Sequence, residues 1–146
     1  MSIGKVLLSL AFLVIASPAW AVRSVSIPPS LEHDRPRIET AVRKAEDRTF
    51  EKCFERRYPK QIARGKHAKV ALKCQKKINK IKLECVDALD YKCGGISVRG
   101  CREGGKKVSA ACQNTGILTS IFVHEFCHVV AGNKSGHGGV PECAKK

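Results

Sequence analysis

Apolar positions change their rhythm several times along the chain. Val6 to Ala16 is an almost unbroken apolar run. From Ile38 onward the apolar residues recur at helical spacing, with Ile38, Val42, Ala45, Cys53 and Phe54 separated by charges. This predicts a helix over 36–57, with Pro36 in its first turn, Asp34 as cap and Tyr58-Pro59 as its break. Val70, Cys74, Ile78, Ile81, Cys85 and Leu89 then make a single stripe, which predicts a second, longer helix over 66–89. After Cys93-Gly94-Gly95 the pattern shortens. Ile96–Arg99 and Lys107–Ala110 alternate on either side of Gly104-Gly105 and predict a small hairpin, with Cys101 and Cys112 as its staple. Residues 116–131 are strongly apolar and long enough for a buried helix, with Asn114 or Thr115 as cap and Gly132 as a left-handed stop.

The two ends read differently from the middle. Lys5, the apolar run, Ser17-Pro18 and the small residues around Ala19-Trp20-Ala21 predict a cleaved secretory signal over 1–21. Residues 22–35, with Ile27-Pro28-Pro29-Ser30, lack periodicity and predict an extended leader to a single domain over 36–146. No second stretch is long enough to cross a bilayer, so a secreted or periplasmic location is expected.

Cysteine and charge sharpen the picture. All eight cysteines follow the expected signal, and an even number in an exported chain points to disulfides. No C-x-x-C pair occurs, which argues against a cysteine-ligated metal. The formal charge is +14, with eleven Lys and Arg and no acid between Arg56 and Leu83. Attraction to polyanions follows from such a charge. Lys66, Lys69, Lys73, Lys76, Lys77 and Lys80 are expected to share one helix side. Tyr58 is the one aromatic between Arg56 and Leu83, so nucleic-acid contact there would be electrostatic and blind to base sequence.

The chemistry concentrates in His124-Glu125-Phe126-Cys127-His128. On a helix, positions i and i+4 lie one turn apart on one face, so the two imidazoles can bind one tetrahedral Zn²⁺. Glu125 points aside and can act as general base on a metal-activated water. An unpaired His-Glu-His trio in an apolar helix would be costly, and a metal accounts for it. A catalytic zinc needs a third protein ligand. His137, in Ser135-Gly136-His137-Gly138-Gly139, is the first candidate, and Glu142, beside Cys143, is the alternative. Cys127 sits between ligand positions and is expected to anchor the helix through a disulfide. Tyr91, Arg99 and Arg102 are candidates for polarising a scissile carbonyl.

His124-Glu-x-x-His128 followed by Gly136-His137-Gly138 resembles the pattern of SprT-like zinc metallopeptidases, a branch of the zincins. The resemblance spans about residues 116–143. It implies His124, His128 and His137 as zinc ligands and Glu125 as the catalytic carboxylate. Members of that family are intracellular and act on nucleic-acid-associated proteins, whereas this chain carries an apparent signal and eight cysteines. The metzincin pattern fits less well, because Ala131 and Lys134 stand where it has glycine and histidine.

The expected architecture is α+β: a small disulfide-stapled zincin-like domain with two N-terminal helices, a short β-hairpin and a C-terminal active helix. The expected activity is zinc-dependent hydrolysis of peptide bonds in a peptide or protein substrate, acidic ones included. The alternative is a non-catalytic cationic disulfide-rich protein that binds polyanions or membranes. A zinc-bound but silent domain is a third reading.

Overall fold

The computed structural model describes residues 24–132. The expected signal, His137 and Glu142 lie outside them. The chain is mixed helix and strand. It runs β1 (Ser24–Ser26), a 3₁₀ turn (Pro29–Asp34), α1 (Arg35–Lys52), a π-helical segment (Cys53–Arg57), α2 (Pro59–Ala63) and α3 (His67–Ile78). It continues through β2 (Lys82–Val86), β3 (Tyr91–Cys93), β4 (Ile96–Val98), β5 (Gly100–Gly104), β6 (Lys107–Ala111) and α4 (Leu118–Ala131).

Four strands form one sheet in the order β1-β2-β6-β5. β1, β2 and β6 are parallel, and β5 closes the edge antiparallel to β6 with a bulge between Arg102 and Gly104. β3 and β4 form a separate ribbon. The core lies between the sheet and the helices. α1 contributes Ile38, Val42 and Ala45, and α3 contributes Val70 and Ile78. The sheet adds Leu83, Val108 and Ala110 to them, and α4 adds Leu118, Phe122 and Phe126. The rings of Phe122 and Phe126 stack 5.9 Å apart and are fully buried. Burial of each is worth about 2–3 kcal/mol. This double turn fixes α4 beneath α1.

Three expectations from periodicity need correction. The stripe through Ile81, Cys85 and Leu89 is not helical. α3 ends at Ile78, and Ile81, Leu83 and Cys85 alternate into the core from β2 and the residue before it. Leu89 is exposed. Positions 81 and 85 suit either period, and pairing with β1 and β6 settles the choice in favour of a strand. The hairpin is β5–β6, while β4 pairs with β3 instead. Residues 22–35 were expected to be an extended leader. Within the described part, Ser24–Ser26 joins the sheet, Pro29 opens the 3₁₀ turn, and Leu31 is buried in the core. Proline at the first turn costs no hydrogen bond there.

The disulfides also differ from the expected Cys101–Cys112 staple. Cys53 pairs with Cys74 and ties the end of α1 to α3. Cys85 pairs with Cys112 across the sheet, and Cys93 pairs with Cys101 to hold the β3–β4 ribbon to the edge strand. These bridges fit an oxidising compartment. No helix among the described residues is long and apolar enough to cross a membrane.

Candidate metal and catalytic site

α4 carries the site. It begins after Ile117, without a side-chain cap, and Asn114 Oδ1 accepts instead from the Gly116 amide at 3.2 Å. It ends at Gly132, whose φ of 77° is the left-handed conformation that glycine adopts without strain. The carbonyls of its last turn point at three cations from three elements. Arg57 donates to Ala131 O at 2.9 Å and Lys77 to Val130 O at 2.7 Å. Arg102 donates to His128 O at 3.3 Å and also to Gly105 O. Positive charge at this end complements the helix dipole and holds the histidine-bearing turn in place.

His124 and His128 lie one turn apart, with their rings near-perpendicular and their Nε2 atoms 3.2 Å apart. Two nitrogens on one tetrahedral zinc, each at ~2.0–2.1 Å, would be separated by ~3.3–3.4 Å. The pair therefore has nearly the bite of two zinc ligands. His128 is buried and His124 is half-exposed. Among the described residues no group of three or more His, Cys, Asp and Glu gathers. The structure thus brings together two of the three expected ligands, and the third expected position lies outside it. Cys127 is disulfide-bonded, in keeping with an anchoring role.

Glu125 is 7 % exposed, and its Oε1 lies 4.0 Å from His124 Nε2. Burial pushes its carboxyl up to about 7. The cause is local. Gly100 of β5 lies so close that a Cβ there would meet Glu125 Cγ at 2.8 Å and Oε1 at 2.9 Å. Only a residue without a side chain lets the edge strand cover the carboxylate this tightly.

A cleft of about 920 Å³ opens between α1, the β4–β5 connection and α4, and His124 and Glu125 line it. Arg99 lines it as well, while Tyr91 and Arg102 are not among its walls. Tyr91 donates its hydroxyl to Ser109 O at 2.7 Å, and burial raises its pKa to about 12. Arg102 is engaged at the end of α4. Of the three expected carbonyl-polarising candidates, Arg99 is the one that faces the cleft.

The lysine face is less uniform than its spacing suggests. Lys69 and Lys76 are exposed on α3, with Lys66 just before it and Lys80 just after. Lys73 and Lys77 turn toward the Tyr58 ring at 5.2 and 5.9 Å, and Lys73 also reaches Gln61. A second basic concavity, lined by Lys80, Lys82, Lys106 and Lys107, lies at the start of β2 and β6.

Several contributors to the candidate site gave no recognisable signal in the sequence. Gly100 is one, and the cations gripping the end of α4 are others. A helical wheel of residues 36–57 does place Arg48, Lys52 and Arg56 together, though not beside Glu125. No protein-family model, no curated protein and no solved structure matches the chain.

Proposed function

We propose that the protein is a zinc-dependent hydrolase that cleaves peptide bonds in an oxidising, extracytoplasmic compartment. The observation that carries this reading is the 3.2 Å separation of the His124 and His128 Nε2 atoms beside a buried carboxylate. Their aromatic nitrogens suit zinc, and two corners of a tetrahedron fall to them, with His137 proposed for a third and Glu142 as its alternative. When bound, zinc supplies Lewis-acid chemistry, polarising a carbonyl and acidifying water.

The chain's own residues do the rest. Glu125, held near neutral pKa by burial, accepts a proton from the attacking water and returns it to the departing amine. Gly100 lies close against both Glu125 and Ile121, which limits the motion of the carboxylate. Arg99 brings positive charge to the cleft where the carbonyl oxygen gains negative charge.

The test is metal content together with turnover. Oxidised protein should hold about one zinc per chain. Glu125→Gln should keep the metal and lose peptide hydrolysis, while His124→Ala and His128→Ala should lose the metal. Comparing His137→Ala with Glu142→Ala identifies the remaining ligand. Oxidised protein that takes up no zinc would refute the proposal. The second reading, a polyanion-binding protein, draws its support from the concavity of Lys80, Lys82, Lys106 and Lys107. It expects binding that fades with salt and ignores Glu125→Gln.

A further inference from the structure

One wall of the cleft carries a row of cations. Arg48 and Lys52 on α1 and Arg56 on the π-helical segment follow at intervals of four, so they stand on successive turns of one face. All three line the cleft that holds His124 and Glu125, and Arg99 adds a further cation from the β4–β5 connection. Arg48, Arg56 and Arg99 are exposed. Among the described residues none of these three is ion-paired. Glu51 and Glu55 share the wall and Glu125 lies opposite, so the cleft lining holds four cations and three acids. The positive charges interact with one another. The Lys52 ammonium is pushed down, first by burial and then by Arg56 and Arg48. Like charges at this spacing repel and weaken a helix. An anion entering the cleft would relieve that repulsion and would be steered inward by the field.

We propose that Arg48, Lys52, Arg56 and Arg99 select a carboxylate on the ligand of this cleft: an acidic side chain, or the free C-terminus, of a peptide. The inference takes its reactive centre from the peptidase reading. Arg48, Lys52 and Arg56, which stand apart from the reacting carbonyl, contribute binding that is equal in ground and transition states, so they lower KM and leave kcat alone.

The experiment measures binding rather than turnover. Zinc-supplied, oxidised Glu125→Gln protein is titrated into three labelled peptides and followed by fluorescence anisotropy. One contains Glu and has an amidated end, the second is its Gln twin with an amidated end, and the third is the Gln twin with a free acid end. At least one carboxylate-bearing peptide should bind about tenfold more tightly than the neutral twin, and which one gains identifies the source of the carboxylate. Adding Arg48→Gln, Arg56→Gln and Arg99→Gln should erase the ratio, as should about 0.5 M salt. If that variant fails to fold, Arg99→Gln alone should reduce the ratio about twofold.

Neutralising Lys66, Lys69 and Lys76 instead should leave the ratio intact. Equal affinities for all three peptides, a ratio that survives loss of the arginines, or one abolished by the lysine changes would overturn the proposal. A retained ratio where the parent protein shows neither zinc nor hydrolysis would sink the peptidase reading and leave the anion-binding cleft standing. Zinc and turnover with equal affinities would do the reverse.

Discussion

Glu125→Gln should stabilise the metal-free protein, and its effect should depend on pH. The Glu125 carboxyl has an ordinary value of 4.5 and is pushed up to about 7 in the fold by burial. Between those values the folded chain holds a proton that the unfolded chain has released. Stability therefore falls as pH rises through the window. The full effect is about 3 kcal/mol, at ~1.4 kcal/mol per pH unit. Glutamine has nearly the shape of glutamic acid and carries no titratable proton. The difference in unfolding free energy, variant minus parent, should thus climb from pH 4.5 to a plateau above pH 7. Other titrating groups are common to both proteins and cancel. Urea unfolding of the disulfide-intact, metal-stripped proteins at a series of pH values gives this difference directly. The climb separates the charge effect from any gain or loss in the amide's hydrogen bonding, which is independent of pH. A flat difference across the window would refute the burial argument. Zinc should flatten it for a different reason, because a dication beside the carboxylate favours its ionised form.

Gly100→Ala should act on the same carboxylate from the other side. The added methyl would sit 2.8 Å from both Glu125 Cγ and Ile121 Cγ2, so both side chains or the strand itself must move. We expect about 1–3 kcal/mol of lost stability from overpacking, measured by urea unfolding. Turnover should fall about a hundredfold through displacement of the base, with zinc content retained; unimpaired hydrolysis would show that Glu125 is not the working base. Lys77→Met keeps the stem packed on Tyr58 and removes the ammonium from Val130 O. The last turn of α4 should weaken by about 0.5–2 kcal/mol, read as faster amide exchange near Val130.

What the sequence could reveal divides along the range of the forces involved. The body and the end of the last helix were legible, because an apolar run and a following glycine are local signals, whereas neither Asn114 nor Thr115 caps its start. The relation of His124 to His128 was legible too, since helical geometry alone sets their separation. β2 was not. Ile81 and Cys85 satisfy a period of two as well as a helical stripe, and only parallel pairing with β1 and β6, distant in the chain, decides between them. The role of Gly100 was invisible for the same reason, as its meaning depends on a carboxylate twenty-five positions later. The lysines that looked like one free face were partly misread because Tyr58, on another element, draws two of them inward.

The order of the bridges bears on how the chain matures. Cys53 and Cys74 are consecutive cysteines, so an oxidant that joins thiols in chain order makes that link correctly on the first attempt. The next two in the chain, Cys85 and Cys93, belong to different partners, because the Cys93–Cys101 loop is nested within the one closed by Cys85 and Cys112. Stepwise oxidation would trap a wrong link there. Reaching the native sheet then requires thiol–disulfide exchange, so yield in a host should track its isomerase more closely than its oxidase.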